Sequence, residues 1–472
     1  MAMRFAAIDQ GTTSTRLLTA TAEGEFRVAH SVRHRQVYPR AGWVEHDPLE
    51  LLRNVAECIE AAGEVDAIGI DNQGESCLAW DARTGAPLSP VIVWQDNRTR
   101  EIIEAMRAEG LERETLARAG LPLDAYFSAS KLAWIVRNLP EAGSALTAGR
   151  LRLGTTDAFF LDRLTGRFVT DAATASRTSL MNLETGTWDA ELCRLFGVPV
   201  EALPPIGPCA GLVIGTAGKI PVTASIVDQQ AALYGHGCRR PGDSKITFGT
   251  GAFALALTGP KIVRAPEIGL LPTVAWKTPQ ETVYAVDGGV YDVGSVVEWL
   301  GRLGLLGDLD ELATFDAGPA IQRDLVFVPA LSGLACPFWD RSAAGLWLGM
   351  SAETGRRDLC QAALEGIALC TAEVIGAMNE RVPLAAVLSI DGGLSRSPYF
   401  SQFLADSVGR RVQTRSFDEL TSYGCASLAA LALDTELPVP PSAERVFEPE
   451  AVDRDSRSRR FAEAVSRSRN WR

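Results

Sequence analysis

Short apolar runs broken by glycine and hydroxyl-rich turns alternate along this chain with segments whose apolar residues recur every three or four positions. The first run, RFAAIDQGTTSTRLL at 4–18, alternates with period two on either side of Asp9-Gln10-Gly11-Thr12-Thr13-Ser14. It predicts a β-hairpin with strands near 6–9 and 16–20. A third strand is expected over 25–35. Asp47 and Pro48 read as an N-cap and first helical residue, and Leu49, Leu52, Val55, Ala56 and Ile59 give a helix over 48–62 one apolar face. A buried strand over 65–70 and an edge element over 77–81 follow, so strand, helix and strand predict an α/β layer. Helices are expected near 98–109, 130–138 and 155–164, the last ended by Gly166, and the Ala-, Thr- and Ser-rich stretch 171–178 reads as a surface or cleft loop. A strand over 222–228 runs directly into a helix at Asp228-Gln229-Gln230.

The second half repeats the opening plan. KITFGTGAFALALTG at 245–259 is again strand, turn and strand, now around Gly249-Thr250-Gly251. A strand over 283–286, a long helix within 354–382 and a strand over 387–391 follow, the last opening through Gly392-Gly393 into a helix over 398–408. A small-residue helix over 422–433 can pack closely against a neighbour, and 450–472 reads as a partly exposed helix or frayed tail. Two similar hairpins half a chain apart suggest a duplicated architecture with one turn from each half facing a shared cleft.

Length and composition agree with two units. The 472 residues exceed what one core supports, and the turn at 237–244 divides the chain into 1–240 and 241–440, with a tail over 441–472. A net charge of −12 argues against nonspecific nucleic-acid binding. Nine cysteines without metal-type spacing read as reduced core or half-buried residues of an intracellular protein. With no signal peptide and no apolar segment of membrane length, a cytoplasmic chain without membrane insertion is expected.

Two features carry candidate chemistry. Gly11 allows close backbone approach, and the hydroxyls and N–H groups of Thr12, Thr13 and Ser14 suit phosphate oxygens, while Asp9 adds a carboxylate for a divalent metal. A plain hairpin turn satisfying its own backbone is the competing reading. Asp228, at a strand end where a helix begins, suits a general base acting on an alcohol, or is an ordinary N-cap.

Several motifs in order then carry a resemblance: DQGTTSTR at 9–16, YPRAGWVEHDP at 38–48, NQGE at 72–75, IVWQDNR at 92–98, DAYFSASK at 124–131, VDQQAALYG at 227–235, FGTGAFAL at 248–255 and IDGGLSRSPYF at 390–400. Together they resemble the FGGY-family carbohydrate kinases, and among them the glycerol kinases, within the actin-like ATPase superfamily. The resemblance implies an α/β fold of two ribonuclease-H-like domains flanking a catalytic cleft, with the acceptor mostly on the N-terminal domain and ATP mostly on the C-terminal one. It implies that Asp228 takes the acceptor hydroxyl proton and that Asp9 and Asp228 lie at Mg2+. Gly11, Thr12, Thr13 and Arg16 would face the transferred phosphoryl group, Gly249 and Thr250 would form the second phosphate loop, and Gly294, Glu298, Gly393 and Ser397 would meet the nucleotide. The acceptor would be held by Gly74, Glu75, Trp94, Tyr126, Asp228, Gln229 and Phe253. The chemistry implied is in-line transfer of the ATP γ-phosphoryl group to a primary alcohol of a small polyol or sugar, in an enzyme that is commonly a homodimer.

Two departures qualify this. Glycerol kinases carry Arg-Glu where this chain has Gly74-Glu75, so a five-donor group that fixes substrate hydroxyls is missing. An acceptor larger than glycerol, such as a tetritol, pentitol or ketopentose, is therefore expected, with glycerol as the alternative and Asn72 or Asn97 as candidate substitute donors. The segment 217–220 is also shorter than the Arg-containing loop by which regulated glycerol kinases bind fructose 1,6-bisphosphate, so weak or absent control by that ligand is expected. A non-catalytic sugar-binding regulator of the same fold is the competing class, and the joint presence of Asp9, Thr12, Asp228 and Thr250 argues against it.

Overall fold

A computed structural model of the chain describes residues 2–440 and 444–472. Two open sheets dominate, and they share one plan. In the first, Arg4–Gln10 pairs antiparallel with Ser14–Thr21, which pairs antiparallel with Phe26–Arg33. On its other side Arg4–Gln10 runs parallel to Ala67–Asn72, and that strand runs parallel to Ile220–Val227. In the second, Ser244–Phe248, Ala252–Gly259 and Thr282–Val290 form the antiparallel half, while Val387–Gly392 and Arg411–Arg415 continue in parallel. Labelled by order of appearance, both five-strand cores run 3-2-1-4-5, the duplication that the two hairpins announce.

Parallel strands need cover on both faces, and all six residues of Ala67–Asn72 are buried. One cover is the helix Pro48–Ala62, capped by the Asp47 side chain on the Leu49 N–H. Its buried face is Leu51, Val55, Cys58, Ile59 and Ala62, turned from the stripe expected from sequence, and Leu49 is exposed. The pattern contained two overlapping stripes, and contact with the first sheet selects the second. Cys77–Asp81 is no edge element either. It lies inside a separate four-stranded sheet, between Val91–Ile92 and Leu151–Thr155, and is fully buried.

The second sheet packs on the helix Arg356–Arg381. That helix is long and apolar enough to cross a membrane by composition, yet 78% of its apolar window is buried in the fold. The segment expected as a tail is part of this unit. Glu444–Phe447 adds a further strand beside Arg411–Arg415, and Phe461, Ala464 and Val465 of the helix Arg454–Ser468 join the core. Residues 441–443 of that segment lie outside the described residues.

Leu420–Ala430 crosses between the halves. It follows the second sheet in sequence but packs on the first, against Arg4–Gln10 and Ala67–Asn72, and on the helix Asp228–Gly235. Glycines allow this approach: a Cβ on Gly424 would lie 1.9 Å from the Ala231 carbonyl oxygen, and one on Gly235 1.9 Å from that of Leu420. All nine cysteines are buried and free.

Candidate active site

The carboxyl ends of the first sheet's parallel strands deliver Asp9, Asp71 and Asp228 to one edge. Asp9 and Asp71 are directly in register, and Asp228 begins the helix that follows Ile220–Val227. Burial first, then the charges of Asp9 and Glu75, push the Asp228 carboxyl up to about 7; the Gln229 N–H, donating to its Oδ1 at 2.7 Å, and Lys245 oppose the rise. Such a carboxylate is a stronger base than an exposed one and titrates near neutrality. Asp71 is wholly buried, and burial followed by the charge of Asp9 raises it well above the usual range. Sequence reasoning passed over it because its neighbours in space come from two other strands.

The first hairpin turn is held from behind. The Gly11 N–H donates to the Ser14 carbonyl at 3.0 Å, and His34 Nε2 meets the Thr12 carbonyl at 2.9 Å. Trp94 Nε1 donates to Thr12 Oγ1 at 3.2 Å, which ties the turn to the acceptor side. His46 stands behind His34, its Nδ1–H donating to the Arg35 carbonyl at 2.9 Å, and burial lowers its pKa to about 4. Thr13 is exposed. Arg16, opposite Asp9 across the hairpin, makes an ion pair with Glu419 at 3.2 Å.

A cavity of about 140 Å³ opens beside Thr12 and Asp228, lined by Gly74, Glu75, Trp94, Tyr126, Gln229 and Phe253. All the expected acceptor residues therefore meet in one place. Trp94, Tyr126, Arg177, Phe253 and Asp287 also line a neighbouring chamber of about 350 Å³ that Thr250 and Gly251 border, so the two turns face adjacent cavities with shared walls. Glu75 sits at φ 59° and is buried, with Ser128 Oγ donating to its carbonyl at 2.9 Å. The C-terminal half reaches in through Lys245, whose Nζ donates to Gln229 Oε1 at 2.5 Å and to Thr247 Oγ1 at 2.9 Å.

Two charged lining residues went unread in the sequence, Arg177 and Asp287. Of the surface and cleft readings of 171–178, the structure has the cleft one: Asp171 through Thr178 are all buried, with a short helix over Ala172–Ala175, and Arg177 lines the cavity. The stretch points Arg177 inward, where Nε donates to Glu75 Oε1 at 2.7 Å and Nη1 lies 3.1 Å from Asp287 Oδ2. Burial opposes its charge, but Glu75 and Asp287 outweigh that and hold the guanidinium protonated. Asn72 and Asn97 supply no donor here. Asn72 Nδ2 donates to the Gln73 carbonyl and Thr156 Oγ1, both at 3.2 Å, and Asn97 Nδ2 to the Gln95 carbonyl at 3.2 Å. Arg177 is a single charge in a run of small residues, and its partners lie 102 and 110 positions away, beyond any local pattern.

The C-terminal half forms a backbone cradle. The Gly294 N–H donates to the Gly249 carbonyl at 3.0 Å, and a Cβ there would lie 2.7 Å from that oxygen. Gly392 holds φ +89°, and Gly393 borders open space. Glu298 is exposed on the helix Gly294–Arg302. Ser397 does not face this space with a free hydroxyl: it caps the helix Pro398–Val408, accepting from the Phe400 N–H at 3.1 Å and donating to the Leu312 carbonyl at 2.6 Å. A glycine cradle opposite hard carboxylate oxygens fits a nucleotide with a magnesium ion. Among the described residues no cluster of three or more ligating side chains would hold a metal alone. Mg2+ binds through one or two carboxylates plus substrate phosphates.

Comparison with known proteins agrees with this geometry. The FGGY family of carbohydrate kinases matches with its N-terminal domain over residues 5–235 and with its C-terminal domain over 244–433. A glycerol kinase of Solidesulfovibrio magneticus is 37% identical across 100% of this chain and 99% of its own length. One of Alkalilimnicola ehrlichii is 40% identical across 93% and 92%. The crystal structure of Plasmodium falciparum glycerol kinase with ADP superposes with a TM-score of 0.91 at 30% identity, covering 99% of this chain and 98% of that one.

Proposed function

The chain belongs to the FGGY family of carbohydrate kinases, and on that footing we propose that it transfers the γ-phosphoryl group of ATP to a primary hydroxyl of glycerol. The observation that carries the reading is the cavity of about 140 Å³ beside Asp228, of a size for a three-carbon polyol and lined with the acceptor residues the family resemblance implies. Identity to glycerol kinases over the whole chain supports the choice of acceptor.

Asp228 accepts the proton of the attacking hydroxyl as its oxygen bonds to the γ-phosphorus and the bond to the β-phosphate oxygen breaks. Glu75 accepts a hydrogen bond from a further hydroxyl and fixes which carbon faces Asp228, while Trp94, Tyr126 and Phe253 wall the carbon chain. The Gly11–Thr13 and Gly249–Gly251 turns offer N–H and hydroxyl donors to the phosphates from the two halves. Mg2+, held by Asp9 and Asp228, would spread the negative charge of the transferring group. Most of the acceleration then comes from positioning and electrostatics.

A larger polyol or ketose is the second reading, for which the neighbouring second chamber offers room, although Val227 fills the space beside Gly74. A panel of glycerol, erythritol, pentitols and ketopentoses with ATP decides between them. Saturable turnover of glycerol with the highest kcat/KM supports the first reading, and a preference for a four- or five-carbon acceptor overturns it.

A further inference from the structure

We propose that Arg177 is the acceptor-binding guanidinium of this enzyme and that, with Glu75, it forms a donor–acceptor fork selecting a vicinal diol at the end of the substrate away from the phosphorylated hydroxyl. The proposal deepens the kinase reading above and rests on it.

The acceptor cavity holds one charged donor beside neutral ones such as the Tyr126 hydroxyl and the Gln229 side-chain amide. Three carboxylates line it, Glu75, Asp228 and Asp287, and among its described lining residues Arg177 alone carries a cation. A hydroxyl is donor and acceptor at once, and carboxylates satisfy only its proton; its lone pairs need an N–H or O–H. Position 74 supplies none. A Cβ there would lie 2.8 Å from Val227 Cγ2, so the valine occupies the space through which a side chain would leave. Trp94 Nε1 is already spent on Thr12.

Arg177 meets the need. It lines both chambers, its side chain is 7% exposed, and its Nη1 is buried with no hydrogen-bond acceptor in good geometry, although Asp287 Oδ2 lies 3.1 Å away. A buried N–H without an acceptor carries a desolvation cost that a substrate oxygen would remove. The Nε–H held on Glu75 Oε1 at 2.7 Å sets donor and acceptor side by side, the spacing that neighbouring hydroxyls of a polyol present.

The test compares kcat/KM for glycerol with that for propane-1,2-diol and propane-1,3-diol, each lacking one hydroxyl of the pair. Wild type is expected to prefer glycerol by about a hundredfold or more, since a site built to bond a hydroxyl rejects the analogue without it. Arg177→Met should cut that preference at least tenfold with the KM for ATP unchanged. A preference that survives while all acceptors weaken equally would reduce Arg177 to a support for Glu75 and overturn the proposal. If Arg177→Met does not fold, Arg177→Lys carries the same comparison, and an unchanged preference in it is equally fatal. Should wild type ignore glycerol, the reading of the acceptor fails before any variant is measured, and Arg177 is tested on the preferred acceptor and its deoxy derivatives.

Discussion

Asp228 owes its chemistry to its surroundings. An exposed aspartate is too weak a base to take an alcohol's proton efficiently near neutrality, and burial together with Asp9 and Glu75 lifts this one to about 7. Asp228→Asn keeps shape and volume but cannot accept the proton, so kcat should fall about a thousandfold, with acceptor binding still detectable by calorimetry. His46 offers a second test. Its pKa drops from 6.5 to about 4 on folding, so between those values the unfolded chain binds more protons and stability rises with pH. The change from pH 7 to pH 4 is on the order of 3 kcal/mol from this group, and denaturant midpoints should show a smaller pH dependence in His46→Gln. Asp228 could be singled out in the sequence because strand, carboxylate and helix follow one another without a gap, although an ordinary N-cap fits that pattern equally well. Arg177 and Asp71 were not, since their meaning lies in partners brought by distant strands.

At the scale of elements, the crossing of Asp228–Gly235 with Leu420–Ala430 couples the helix that begins at the proposed base to the far end of the chain. A methyl at Gly424 would sit 1.9 Å from the Ala231 carbonyl oxygen, so Gly424→Ala must part the helices. A loss of about 2–3 kcal/mol is expected from urea denaturation, together with a lower kcat as the helix carrying Asp228 shifts. An unaltered midpoint would show that the helices separate freely. The strands Gly215–Ala217 and Ile220–Val227 are joined by Gly218-Lys219 alone, with Gly218 at φ 63°. So short a turn has no arginine to offer a bisphosphate, and titration with fructose 1,6-bisphosphate should leave the rate unchanged. Close packing of 422–433 was readable from its small residues. The docking of Phe461, Ala464 and Val465 into the core was not, because charged residues and serines fill most of the partly exposed helix 454–468.

For the whole molecule, the Arg177–Asp287 pair joins the two halves across the cleft. Closure of such a cleft keeps water from the phosphoryl group. Asp287→Asn weakens the link without removing the base, so acceptor-independent ATP hydrolysis should rise several-fold relative to acceptor phosphorylation, as followed by ADP release. Equal ratios in variant and wild type would show that closure does not depend on this pair. The duplicated sheet order was foreshadowed by the two hairpins, since a glycine turn between apolar strands survives as a local pattern. The crossing of Leu420–Ala430 to the other half leaves no such trace. It also bears on how the protein is made. When residue 235 leaves the ribosome, the first sheet still lacks the helix that covers it, and at about 5–20 residues per second that helix follows some 10–40 s later. For that interval the nascent chain carries an uncovered apolar face, a natural point of call for a chaperone and the moment at which this protein is most exposed to aggregation.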